Sequence, residues 1–153
     1  MKRIAIFPGS FDPFTIGHDN ILCRALKIFD EVVIGVGING SKQSMQTPEE
    51  RIAKIRELYA DEPRVSVEAY NDLTTDFARR KGATFVVRGV RTTKDYEYEM
   101  NIADINRQLT GIETVILFAE PAVAGISSSI VRELIRFNKD VTQFIPQKNK
   151  QHK

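Results

Sequence analysis

The chain has 153 residues, with 22 Lys and Arg against 20 Asp and Glu and a formal net charge of +2. That length predicts one domain able to bury a core, and 42% hydrophobic residues exclude a disordered chain. The near balance of charge argues against coating a nucleic acid, no apolar run of about 18 residues predicts a membrane span, and one cysteine, Cys23, makes neither an internal disulfide nor a cysteine-based zinc site.

In chain order, Arg3–Phe7 is Ile/Phe-rich and ends at Pro8-Gly9, so it predicts a buried first strand. The same Pro-Gly breaks the N-terminal apolar run too early for a signal peptide. Residues 17–29 carry Ile21, Leu22, Ala25, Leu26 and Phe29 at helical spacing. Val32–Ile38 is a β-branched second strand. Thr47-Pro48-Glu49-Glu50 starts a second helix: Thr47 caps, Pro48 suits the first position and Glu50 completes a capping box. That helix runs to about Tyr59. Val65–Tyr70 is the third strand, followed by a short helix over Leu73–Lys81 that Gly82 stops. Thr84–Arg88 is the fourth strand, and Thr92–Leu109 the longest helix, stopped near Gly111. Glu113–Phe118 is the fifth strand, and Ser127–Phe137 a helix with Ile130, Val131, Leu134 and Ile135 on one face. A last helical turn is expected at Asp140–Phe144. Residues 1–147 form the domain and 148–153 a basic, frayed tail.

Five strands alternating with helices predict a single-domain α/β fold, Rossmann-like, with a five-stranded parallel sheet covered on both faces. Such sheets bind ligands beyond the C-terminal ends of their strands. The loops to inspect are therefore 8–17, 39–46, 71–75, 88–92 and 119–127.

Three of them suit phosphate. Pro8-Gly9-Ser10-Phe11-Asp12-Pro13-Phe14-Thr15-Ile16-Gly17-His18 opens the first helix, whose free N–H groups attract anions. Ser10 adds a hydroxyl, Thr15 can cap, and His18 lies within reach of the same anion. The loop lacks the Gly-Lys-Ser/Thr of a Walker loop and the Gly-x-Gly-x-x-Gly of a dinucleotide fingerprint. Arg88-Gly89-Val90-Arg91 puts two guanidiniums at a strand end, where they suit bidentate phosphate contact. Ile126-Ser127-Ser128-Ser129-Ile130-Val131-Arg132 offers hydroxyls and helix-start amides, although one serine also serves as an ordinary cap. Lys42 holds a phosphate or is simply solvated. Glu99, a turn beyond Asp95, faces a ribose hydroxyl or water. With His18 and His152 the only histidines, an all-protein transition-metal cage is not expected, and any metal arrives on a ligand. Cys23, beside the apolar stripe of the first helix, reads as packing rather than as a nucleophile.

These residues resemble the nucleotidyltransferase superfamily, whose signatures appear as Thr15-Ile16-Gly17-His18 and Ile126–Arg132. The chain is more closely similar to the bacterial phosphopantetheine adenylyltransferases. The ordered set also includes Ser41-Lys42, Glu49-Glu50-Arg51, Phe77-Ala78-Arg79, Arg88–Arg91 and Asp95-Tyr96-Glu97-Tyr98-Glu99-Met100. The resemblance implies a cytoplasmic homohexamer that uses ATP and Mg²⁺ to adenylylate 4′-phosphopantetheine, giving dephospho-coenzyme A and pyrophosphate in coenzyme A biosynthesis. It implies phosphopantetheine contacts from Ser10, Lys42, Thr74 and Arg88. ATP contacts would come from Ser10, Phe11, His18, Gly89, Val90, Arg91, Glu99, Val123, Ala124, Gly125, Ile126, Ser127, Ser128 and Ser129. His18 would stabilise the transition state, with Lys42, Arg88 and Arg91 assisting. Mg²⁺ would be held by ATP phosphates, with no protein side chain as ligand. Three features depart from the family: many members have Thr at Ser10, often an apolar residue at Thr74, and a loop at Glu120–Gly125 that is longer by about one residue and carries an aromatic residue.

The substrate's own phosphate, with a second pKa of about 6, is largely dianionic at neutral pH and needs no strong protein base. The protein's task is to align two polyanions and neutralise charge at the α-phosphorus. Coenzyme A shares the pantetheine arm and is expected to inhibit. The competing readings are a nucleotidyltransferase for nicotinamide mononucleotide, FMN or glycerol phosphate, a non-catalytic nucleotide-binding module, and a small RNA-binding protein using the tail.

Overall fold

The computed structural model describes residues 1–40 and 43–148. Five strands, β1 (Ile4–Gly9), β2 (Glu31–Gly37), β3 (Val65–Tyr70), β4 (Phe85–Val90) and β5 (Glu113–Phe118), form one parallel sheet in the order β3-β2-β1-β4-β5. The helices are α1 (Ile16–Ala25), α2 (Pro48–Leu58), α3 (Thr74–Arg80), α4 (Thr93–Thr110) and α5 (Ser128–Arg136). Among the described residues no helix is long and apolar enough to cross a membrane.

The strand order reverses beside β1, so the crevice at the switch point opens between the ends of β1 and β4. Both strands run further than their apolar residues announce. β1 reaches Gly9 because Pro8 and Gly9 stay in register with Gly35 and Val36, and β4 reaches Val90, in register with Phe118. Pro8 has no N–H to give, and the pairing of β1 with β4 covers Ala5 and Ile6 and ends before it.

Alternate side chains of the central strands feed two cores. On one face Ala5, Phe7, Val32, Ile34 and Val36 pack with Ile21, Leu22 and Ala25 of α1 and Ile55 of α2. On the other, Ile6, Val33 and Val86 meet Phe77 and Ala78 of α3. This is the two-residue period of a strand buried on both faces.

The helix caps follow local chemistry. The Thr47 hydroxyl accepts from Glu50 N–H with Pro48 at the first position, Thr92 does the same for Asp95, and Gly111 ends α4 at φ 77°. α1 stops at Ala25, short of the expected Phe29, and a turn in which Phe29 N–H reaches the Ala25 carbonyl brings Phe29 into the core. The expected last helical turn is a 3₁₀ turn at Thr142–Phe144. Lys148, at the start of the expected tail, lies 3.9 Å from Asp61, and residues 149–153 lie outside the described residues. α4 packs unlike the other helices: Glu99 is its buried residue, while Tyr98, Ile105 and Leu109 are more than half exposed.

Candidate active site

Two cavities meet at the switch point. The larger, about 850 Å³, is lined by Ser10, the end of β2, Tyr70, Leu73, Thr74, Arg88 and one side of α4, including Tyr98, Glu99, Ile102 and Asn106. The smaller, about 450 Å³, is lined by Ser10, Phe11, Thr15, Gly17, His18, Gly89, Arg91 and the α5 start. Pro8, Gly9, Ser10 and Arg88 belong to both walls. Two ligands seated in the two cavities would therefore meet at Ser10 and Arg88.

His18 is the third residue of α1, and its ring is tied back to the helix cap. Thr15 N–H donates to His18 Nδ1 at 2.9 Å, and the Thr15 hydroxyl lies 3.2 Å from the same nitrogen. A nitrogen that accepts an amide N–H carries no proton, so the neutral ring bears its proton on Nε2 and is a donor there. Phe11, Phe14 and Phe7 surround the ring at centroid distances of 5.0, 5.3 and 6.4 Å. Burial, then Arg88, then Arg91 lower its pKa to about 4. Phe11 holds a left-handed φ of 50°, locked by ring contacts to Phe7 and Phe14. Gly9 is required there, since a Cβ would stand 2.9 Å from the Phe11 ring.

Arg88 is held twice. Its Nε and Nη2 donate to the two oxygens of Glu99 at 2.9 and 2.8 Å, and Nη1 donates to the Pro8 carbonyl. Glu99 thus faces the larger cavity and Arg88, whereas the sequence expectation put it with ATP. Arg91 lies 3.6 Å from Asp95 and faces the smaller cavity. The triple serine divides its work. The Ser127 hydroxyl caps Ile130 N–H, Ser128 Oγ donates to the Pro13 carbonyl at 2.7 Å, and Ser129 Oγ accepts from Arg132. Only Ser128 spends its O–H on the protein: the Ser127 and Ser129 hydroxyls act as acceptors, so their O–H groups, with the amide N–H groups of the α5 start, remain for an anion.

Of the other expected residues, Val123, Ile126, Ser127, Ser128 and Ser129 line the smaller cavity, and Thr74 lines the larger with its hydroxyl 3.1 Å from Tyr70 Oη. Three expected ATP contacts do not line the smaller cavity. Val90 is buried at 3% exposure, with its carbonyl taken by Ala119 N–H, and Ala124 and Gly125 are absent from its wall. Gly89 does line it, and a Cβ at position 89 would stand 2.9 Å from Ile21. Lys42 lies outside the described residues. Cys23 is inert, its thiol pushed up to about 12 by burial and by Asp19.

Sequence reasoning missed Arg51, Arg132, Asp12 and Tyr70. Arg51 Nη1 donates to the Ser10 carbonyl at 2.5 Å, and Arg132 Nη1 to the Asp12 carbonyl at 2.8 Å. The Asp12 carboxylate accepts Met45 and Gln46 N–H at 2.7 and 2.9 Å. Arg51 and Arg132 stood inside quoted motifs, but nothing local marked them as loop clamps.

The Cytidylyltransferase-like family model matches residues 6–134. The phosphopantetheine adenylyltransferase of Phocaeicola vulgatus is 60% identical over 145 residues, 95% of this chain and 96% of that protein. That of Bacteroides fragilis is 58% identical over 144 residues, 94% and 96% of the two chains. Among solved structures, the bifunctional NMN adenylyltransferase/ADP ribose pyrophosphatase of Francisella tularensis is similar in fold, with a TM-score of 0.74 at 17% identity. That match spans 97% of this chain and 46% of the other.

Proposed function

The chain belongs to the phosphopantetheine adenylyltransferase family, and from that membership we infer that it transfers the adenylyl group of ATP to 4′-phosphopantetheine in coenzyme A biosynthesis, forming dephospho-coenzyme A and pyrophosphate. The observation that carries the reading to this site is the meeting of two cavities at Ser10 and Arg88, with His18 in the smaller. ATP takes the smaller cavity, where arginine and helix-start amides suit a triphosphate. The acceptor takes the larger, whose Leu73, Tyr98 and Ile102 suit the pantetheine arm. Its phosphate reaches Ser10 and Arg88, with Lys42 assisting.

The acceptor phosphate attacks the α-phosphorus of ATP in line, and the bond to the β-phosphate oxygen breaks. Arg88 holds the attacking phosphate, held itself by Glu99 and the Pro8 carbonyl. His18 Nε2–H and the α1 amides donate to the α-phosphate oxygens as their charge grows. Arg91 and the α5 amides hold the departing pyrophosphate.

Among the described residues no three His, Cys, Asp or Glu side chains converge to hold a metal. The donor set is arginines, hydroxyls and amides, which fit phosphate oxygens. Mg²⁺, proposed here from the family membership, would ride on the ATP phosphates, its usual mode with nucleotides, and would neutralise charge on the triphosphate.

We also propose a homo-oligomer, a hexamer as in the family, that covers the exposed Ile105 and Leu109 of α4 together with Phe118. Coenzyme A, sharing the pantetheine arm, competes for the larger cavity. A cytoplasmic location accords with a lone free cysteine.

Pyrophosphate release measured across acceptors tests the reading. Release should depend on 4′-phosphopantetheine and stay at background with nicotinamide mononucleotide, FMN or glycerol phosphate. Faster release with any of those three would reassign the acceptor, and ATP binding without acceptor-dependent release would make the chain a non-catalytic module.

A further inference from the structure

Asp12 is a buried carboxylate that the transfer chemistry does not use. It is 5% exposed and lines neither of the two substrate cavities. Its oxygens reach instead to the loop between β2 and α2, residues 38–47. Oδ2 accepts Met45 N–H at 2.7 Å, and Oδ1 accepts Gln46 N–H at 2.9 Å. The post itself is fixed, because Arg132 Nη1 donates to the Asp12 carbonyl at 2.8 Å.

The segment that Asp12 holds is not anchored by side chains in the core: Gln43, Ser44 and Met45 are exposed. The Ser44 hydroxyl donates to the Gln46 carbonyl, a bond internal to the segment. Backbone N–H groups donating to a carboxylate make some of the stronger hydrogen bonds in proteins, so the two bonds from Asp12 are a firm tether. At its other end the loop is fixed by Ile38 N–H, which donates to the Tyr70 carbonyl at 2.9 Å. Ile38, Asn39 and Gly40 line the larger cavity. Lys42, outside the described residues, stands between these two anchors in the sequence.

We propose that Asp12 is a positioning residue for acceptor binding: by pinning Met45 and Gln46 it fixes the β2–α2 loop, and with it Lys42, for the acceptor phosphate. The inference rests on the adenylyl-transfer reading, which gives Lys42 that phosphate. Backbone fixed in advance need not be ordered when the acceptor arrives, so the tether appears as acceptor affinity.

Calorimetry on the full chain, with 4′-phosphopantetheine and separately with ATP, reads the effect. Asp12→Ala loses both bonds and should weaken phosphopantetheine by about tenfold, the order of cost of freezing one backbone residue. ATP should bind within about twofold of the parent, since the carboxylate lies outside the smaller cavity. In a Lys42→Ala background the same substitution should cost phosphopantetheine less than about twofold more, because the side chain it positions is gone. Phosphopantetheine affinity unchanged in Asp12→Ala, equal weakening of both ligands, or the full loss repeated in the Lys42→Ala background would each overturn the proposal. If Asp12→Ala does not fold, Asp12→Asn, which keeps one acceptor oxygen, is read by the same criteria. Lys42→Ala binding phosphopantetheine as the parent does would remove Lys42 from the acceptor site, and this inference with it. A parent chain that does not bind phosphopantetheine would fail the acceptor reading itself and take the inference down as well.

Discussion

Replacing His18 by Ala is expected to lower kcat by about 10²–10³, the cost of removing one donor from a developing oxyanion, with little change in the KM of either substrate. The expectation rests on geometry before electrostatics. Thr15 N–H occupies Nδ1 at 2.9 Å, so Nε2 carries the proton and donates it as a hydrogen bond without giving it up. Protonating the ring would put an N–H against an N–H and break the cap, and burial with Arg88 and Arg91 opposes it further, which gives a pKa of about 4. The ring therefore stays neutral across the working pH range. The sign of the linkage follows: a histidine whose folded pKa is depressed below 6.5 favours the native state most above that value, and the contribution is lost as pH falls toward about 4. The acid limb of the rate profile should accordingly track the acceptor phosphate near pH 6 rather than His18. An unchanged kcat in His18→Ala, or a rise in KM alone, would remove His18 from the transition state.

The second large effect is expected at Arg88. Arg88→Ala leaves Glu99, only 7% exposed, facing a cavity without its bidentate partner. Breaking a buried pair by removing one member costs about 3–5 kcal/mol. The Arg88 side chain is 31% exposed, which points to the lower end, about 3 kcal/mol in urea unfolding. Removing Glu99 as well should recover part of that loss, since the orphaned charge goes with it. Both variants should bind phosphopantetheine more weakly, and the double variant should not regain acceptor affinity. Recovery of affinity in the double variant would show that Arg88 serves the fold and not the acceptor.

The parts of this site readable in the sequence are those written in consecutive residues. Thr15 to His18 sits where a strand must turn into a helix, and Arg88 to Arg91 ends a β-branched run, so pattern and position coincide. β3 and β5 matched their predicted limits because clear turn residues bound them. What the sequence concealed depends on residues far apart. Glu99 faces Arg88 only because α4 lies along the end of β4, and no local rule separates that role from a ribose contact. Arg51 reaches the Ser10 carbonyl across 41 positions, which a helical periodicity reading treats as one more charge on α2. Val90 ends a strand beside a binding loop, yet the two-residue alternation turns its side chain into the core. On α4, Ile105 and Leu109 stand more than half exposed, which nothing in the helical pattern of Thr92–Leu109 announces.

The net charge of +2 now has a spatial meaning. Among the described residues, Arg88, Arg91 and Arg132 line the smaller cavity with no carboxylate beside them in its wall, while Asp72 and Glu99 belong to the wall of the larger, so a nearly neutral chain gathers its cationic groups on one side of the crevice.

Direct transfer between the two cavities leaves its mark on the stereochemistry at phosphorus. With ATP made chiral at the α-phosphorus by sulfur substitution, one in-line attack by the acceptor phosphate should invert the configuration in the dephospho-coenzyme A analogue. Retention would mean two displacements through an adenylylated side chain and would contradict direct transfer between the two cavities.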